Sequence, residues 1–142
     1  MKKILFLFLI AFAFASCCNN THLQESLKEA GVSKELADLR KAYLEDIRYN
    51  LHFSIPSDKG ETVKGRSEIS FKTTKNIPVI LDFRADLKQI DSLFVNGEKA
   101  EYIFENEHII LSEKQLEKGE NSVAVHFSAA DQSLNRREEF LY

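Results

Sequence analysis

Four histidines and two cysteines are the side chains in this 142-residue sequence best suited to metal or nucleophilic chemistry. A zinc hydrolase of the common helical type needs two histidines four residues apart, so that both reach one ion, and a glutamate beside the first to activate water. His22, His52, His108 and His126 do not fit: none is followed by Glu, and none has a histidine four residues away. The five glycines are scattered at turn positions and build no phosphate-cradling loop, and no G-x-S-x-G turn presents a serine nucleophile. Acidic groups are plentiful, but Glu117-Lys118-Gly119-Glu120 and Arg136-Arg137-Glu138-Glu139 mix both signs. Mixed runs of this kind read as solvated faces. No catalytic, cofactor-binding or metal-ligating residue is assigned on these grounds.

The cysteines carry a different chemistry. Cys17 and Cys18 are adjacent, and so short a ring strains a disulfide, so no cross-linked framework is expected. They follow a leader. Lys2 and Lys3 form a positive start, and Ile4 to Ala15 is an apolar run of twelve. That run is too short for a stable membrane span and the right length for the core of a signal peptide. It ends in Phe14-Ala15-Ser16-Cys17, small residues ahead of a cysteine, which resembles the lipobox of bacterial lipoproteins, with Phe14 in place of the usual Leu. Lipid attachment is therefore expected at Cys17, with Cys18 as the alternative, and the signal peptide is assigned to residues 1–16. An ordinary secretory leader with two incidental cysteines is the competing reading.

These chemistries need a scaffold, and the composition permits one. Hydrophobic residues at 44% and charged residues at 29% exclude a disordered or fibrous chain. The length suits one domain. The net charge is −3. Loss of the leader takes Lys+Arg from 19 to 17 against 22 Asp+Glu, a net charge of −5, so no nucleic-acid partner is expected.

Residues 17–32 read as a polar tether followed by a weak helix over Leu23–Ala30 that stops at Gly31. Ser33 is a good N-cap for a short amphipathic helix over Lys34–Leu44, with Leu36, Leu39, Ala42 and Tyr43 at helical spacing, expected to lie against a sheet. From Asp46 the period becomes two. Ile47, Tyr49, Leu51, Phe53 and Ile55 alternate with polar residues, which predicts a strand with one buried face and one wet face. Pro56 and the turn around Gly60 end it. Val63–Thr73 is the next strand, with Ile69 and Phe71 inward and Gly65 marking a bulge or a close approach. Ile77 to Phe83 is a third, with Pro78 at its start or edge. Ile90–Val95 runs into Asn96-Gly97, a strong hairpin signal, and Ala100–Phe104 is expected to return. A turn at Glu105-Asn106-Glu107 leads to His108–Leu111. One helical turn in Ser112–Lys118 closes at Gly119, and Val123, Val125 and Phe127 alternate in another strand. His52 and His126 fall on polar strand faces. Ala129–Ser133 reads as a loop and Leu134–Tyr142 as a further extended segment. About eight short strands with frequent turns predict an all-β, antiparallel β-sandwich over residues 33–142. Asp91-Ser92-Leu93 also resembles a short bacterial O-glycosylation motif.

Several ordered phrases resemble a known family. They are Gly31-Val32-Ser33-Lys34-Glu35-Leu36-Ala37, Asp46-Ile47-Arg48-Tyr49-Asn50-Leu51, Val63-Lys64-Gly65-Arg66 leading to Ile69-Ser70-Phe71, and Ile80-Leu81-Asp82-Phe83. Val95-Asn96-Gly97, Leu116-Glu117-Lys118-Gly119-Glu120-Asn121, and Asp131-Gln132-Ser133-Leu134-Asn135-Arg136 running to Phe140-Leu141-Tyr142 follow in the same order. Together they resemble the N-terminal saddle-shaped β-sandwich of the aminopeptidase N family of zinc metallopeptidases, from about residue 31 onward.

The resemblance implies a non-catalytic domain that packs on a thermolysin-like catalytic domain, supplied in cis or as a separate chain. Zinc is expected only there. The family's H-E-x-x-H and G-x-M-E-N motifs have no counterpart in this sequence, and the residue that holds the substrate amine in the family follows the position of Tyr142. No catalytic residue is carried over, and the sandwich is expected to be cut at its C-terminal end. With the lipid on Cys17, the expected location is the bacterial envelope, anchored to a membrane and facing the periplasm or exterior. The alternative is a free-standing envelope sandwich that binds a glycan, peptide or protein.

Overall fold

The computed structural model describes Leu27, residues 29–58 and residues 60–129. They form a sandwich of two antiparallel sheets with one helix on its outside. The expected helix over residues 23–30 falls largely outside the described residues, and Leu27, Glu29 and Ala30 lie in turn or bend.

Helix α1 is Lys34–Tyr43. Ser33 caps it, its Oγ accepting the Leu36 N–H at 3.1 Å, which satisfies one of the free donors of the first turn. Leu36 is buried, and with Leu39 it packs on Ile80 and Ile110. The helix lies against a sheet, as its single apolar stripe requires.

Strand β1 (Leu44–Ser54) begins as the helix stops, two residues earlier than the alternation suggests. Asp46 at φ 52° and a register shift between Glu45 and Arg48 form a bulge there. β2 (Val63–Thr73) pairs with β1 on one side and β8 (Gly119–Ala129) on the other. Ile69 and Phe71 point inward, as expected. A Cβ on Gly65 would meet the Phe127 ring at 2.3 Å, so this glycine serves a close approach: the ring lies on its backbone.

β3 (Val79–Asp82) starts just after Pro78. β4 (Ile90–Val95) turns through Asn96 and Gly97, at φ 51° and 85°, into β5 (Glu98–Lys99). The return of Ala100–Phe104 along β4 is corrected here. Only Glu98 and Lys99 pair with β4, and β6 (Tyr102–Glu105) belongs to the other sheet, beside β7 (His108–Leu111). The chain changes sheets at Glu101. The Ala100 N–H still reaches Leu93 O on β4 at 3.0 Å, and at the next residue the Gln115 amide accepts the Glu101 N–H at 3.0 Å and donates to its C=O at 2.7 Å, holding the chain where it leaves β4.

The first sheet has the order β1-β2-β8-β4-β5 and the second β3-β7-β6. Between them sits the main core of Ile69, Phe71, Leu93, Val95, Ile109, Leu111, Val123 and Val125 with their neighbours. One end is sealed by Asn121, which is buried. Its amide donates to Glu117 O at 2.7 Å and Gly119 O at 2.9 Å and accepts the Glu117 N–H at 2.8 Å.

A second correction concerns β1. The expected buried face does not exist: from Glu45 to Ser54 every residue is exposed. Register places Tyr49 opposite Ile69, Leu51 opposite Ser67 and Phe53 opposite Gly65, so the apolar row does point to the inner side of the sheet. The three-stranded sheet simply stops at β3 and leaves that side uncovered.

Candidate docking surface

The row is continuous. Ile47, Tyr49, Leu51, Phe53 and Ile55 lie between 44% and 65% exposed, against 2% for Phe71 on the next strand. Moving one such side chain from water to a packed environment contributes about 1.5–3 kcal/mol. Four on β1, with Ile55 just past its end, make a surface of the kind that marks an interface.

A cleft of about 190 Å³ opens where this row meets β3. Ile47 and Tyr49 form one wall, Ile69 and Phe71 the floor, and Val79 and Leu81 the other wall. An aromatic chain closes the far end. Phe53 meets Phe127 at 6.0 Å between ring centroids, Phe127 meets Phe83 at 5.8 Å, and Phe83 meets Phe104 at 6.3 Å, all edge to face. Phe53, at the end of this chain of rings, stays half exposed.

The rim by β3 is polar and tightly tied. Arg40, from the last turn of α1, donates to Asp82 Oδ1 and Oδ2 at 2.7 and 2.8 Å and to the Ile80 carbonyl at 2.8 Å. This bidentate pairing pins the helix to the β3 edge. His108 lies behind it and is fully buried. Its Nε2 faces the Glu29 carbonyl at 2.8 Å and donates there. Its Nδ1 lies 3.1 Å from Asp82 Oδ1, close but not aligned as a hydrogen bond. The cluster fastens the segment before α1 to the small sheet. Sequence reasoning missed it, because Asp82 and His108 meet only through the β3–β7 register.

The opposite face of the large sheet is charged. Arg66 pairs with Glu68, and Asn50 donates to Glu68 at 3.2 Å. Lys72 reaches Asp46 at 2.6 Å and Glu120 at 3.3 Å. The hydrogen bond from Lys72, then its charge, holds the Asp46 carboxyl below its ordinary value, and the same contacts raise Lys72. Partial desolvation pushes the Asp91 carboxyl up, but hydrogen bonds from Lys64 and Ser128 outweigh it and leave a net lowering. The contrast is chemical: ion pairs on one face of β1, bare hydrocarbon on the other.

Of the histidines, His52 is exposed and His126 is half-buried with its ring edge-to-face on Phe94 at 5.9 Å, while His22 lies outside the described residues. Among the described residues, no group of three or more His, Cys, Asp or Glu is placed to hold a metal ion. No helix among them is long and apolar enough to cross a membrane. Cys17 and Cys18, the expected lipidation positions, and the Leu134–Tyr142 segment lie outside the described residues. In the Asp91-Ser92-Leu93 motif, Leu93 is in the core and Ser92 is half-buried on β4. Comparison with models of known protein families gives no match, and no curated protein matches the chain.

Proposed function

We propose that this chain is the non-catalytic N-terminal domain of a membrane-anchored zinc aminopeptidase, a receiving surface for the polypeptide that carries the catalytic site. The observation behind this reading is the uncovered apolar row on β1 beside an open cleft. A sandwich that needed nothing further would have its second sheet extend over β1. The ordered phrases that resemble the aminopeptidase N family supply the identity of the companion. On this reading the zinc, the general base and the exopeptidase contacts belong to the companion polypeptide, in cis or as a separate chain. The sandwich packs against it and helps shape its substrate site. A lipid on Cys17, or on Cys18, tethers the assembly to an envelope membrane facing the periplasm or exterior.

The second reading is a free-standing envelope lipoprotein that binds a glycan, peptide or protein, and the cleft is the feature that favours it. One experiment separates the two. The polypeptide encoded directly downstream is joined to the chain or mixed with it, and hydrolysis of aminoacyl reporter substrates is measured with and without a chelator. Chelator-sensitive turnover that depends on the sandwich is the expected result. A downstream region without the zinc motif, together with saturable peptide or glycan binding by the chain alone, overturns it.

A further inference from the structure

Helix α1 roofs only part of the small sheet. Register aligns Ile80 on β3, Ile110 on β7 and Ile103 on β6 in one row across its outer face. Leu36 and Leu39 of α1 pack on Ile80 and Ile110. Exposure climbs along the row: Ile80 is buried at 8%, Ile110 is half-buried and Ile103 is 60% exposed. We propose that the open end of this row is a second docking site, a groove that takes a cationic amphipathic helix of a partner polypeptide. It lies on a different face from the β1 row and does not depend on the aminopeptidase reading.

The apolar floor follows from strand alternation. Tyr102 and Phe104 pack on the main core, so Ile103 between them points outward. Beside it opens a groove of about 420 Å³, against about 190 Å³ for the cleft by β3. Ile103, Ile110 and Pro78 supply its hydrocarbon, and Glu101 and Glu113 supply its charge.

The space fits a helix. Neighbouring strands lie about 4.8 Å apart and a helix with its side chains is about 10 Å across, so α1 covers roughly two of the three strands. A second helix at the usual spacing of about 8–10 Å from α1 comes to rest over β6. Helices laid side by side on one face of a sheet bury their apolar stripes in this way. The stripe of the guest then meets Ile103 and Ile110, with α1 as one wall of the groove.

Charge selects the guest. Among the residues that line the groove, Glu101 and Glu113 are acidic and none is basic. Neither carboxylate has an ion-pair partner among the described residues, whereas Asp46, Glu68, Asp82 and Asp91 are all paired with cations. A guest with Lys or Arg beside its apolar stripe satisfies both. The same two carboxylates repel an anionic helix or an acidic membrane surface. The walls are set before the guest arrives. The Gln115 amide ties the Glu101 backbone to the turn that carries Glu113, and Leu116, the next residue, is buried in the main core. A preformed site loses less freedom on binding.

The test uses the full chain. The probe is a fluorescein-labelled helical peptide of Leu and Lys with the leucines on one face, and the control is the same peptide with Glu for every Lys. Fluorescence anisotropy is expected to show saturable binding of the Lys peptide and none of the Glu peptide. Glu101→Gln with Glu113→Gln is expected to weaken binding roughly tenfold at low salt, the scale of two surface ion pairs. Ile103→Ser is expected to weaken it as well, while Leu51→Asp on the β1 row leaves it unchanged. No saturable binding, equal binding of the two peptides, or an affinity that survives the paired Gln variant or Ile103→Ser overturns the proposal. Loss of binding in Leu51→Asp also overturns it, by seating the peptide on the β1 row.

Discussion

β1 and β2 are neighbours of equal length, eleven residues each, and both carry apolar side chains on the inner face. On β2 that face is buried at Val63, Ile69 and Phe71, and Thr73 beside them is buried too. On β1 only Leu44 is even half-buried. The strands differ in what lies across from them. β2 lies under the core shared with the small sheet, and β1 meets β3 only across an open cleft. Alternation selects a side of the strand, and burial is conferred by the facing layer.

The sharpest way to test that contrast is Phe71→Ala. It removes a ring from the filled part of the core and is expected to cost roughly 3–5 kcal/mol in chemical denaturation. A loss below that range would mean that the covered region is packed as loosely as the uncovered one.

Gly65→Ala acts where the two regions meet. Its added methyl collides with the Phe127 ring at 2.3 Å, and moving that ring breaks its contacts with Phe53 and Phe83. Forcing a group into a filled site costs typically about 1–3 kcal/mol. Calorimetry should show a lower Tm, and a neutral result would mean that the aromatic chain is not rigid. Asn121→Ala probes the sealed end. It removes the acceptor of the Glu117 N–H and the amide donor to Gly119 O, and leaves Glu117 O with the Thr73 hydroxyl alone, a loss of about 1–3 kcal/mol read in the same denaturation series.

The wet face of β1 gives a pH signature. Asp46 is held below its ordinary value, so its contribution is complete above about pH 3.9 and is lost as pH falls through the lowered native value. Lys72 is raised, so its contribution is present below about pH 10.4 and is lost as pH rises through the raised value. Tm measured across pH should fall at both extremes, and Lys72→Met should flatten both limbs. Retention of the acid limb would assign it to other carboxylates, Asp91 first.

The smallest effect on stability belongs to the row itself. Leu51→Asp should change stability by no more than about 0.5 kcal/mol, as at an ordinary surface position. It should nevertheless suppress self-association in sedimentation. A large destabilisation would show that β1 has a cover.

Much of the fold could be read along the chain because the signals are local. The Ser33 cap, the period of two in β1, β2 and β8, and the positive φ tolerated at Asn96-Gly97 each act within a few residues. Two features escaped for a shared reason. The exposure of β1 depends on how far a sheet built from residues 79–111 extends, and the Arg40–Asp82–His108 cluster depends on one strand register and one helix placement. Where the chain changes sheets after Ala100, Glu101 is held by Gln115, fourteen residues further on. Composition carries no trace of such long-range pairings.

The place of β8 has a consequence for the order of events in the life of the chain. It is the last described strand in sequence and sits in the middle of its sheet, between β2 and β4. Until residues 119–129 have been synthesised, β2 and β4 have no common partner, and the main core cannot close. Pairing of such widely separated segments is slow, because loop closure precedes any gain. The nascent polypeptide therefore stays pliable until β8 has been made, a delay that suits a chain proposed to pass through a membrane pore before it folds.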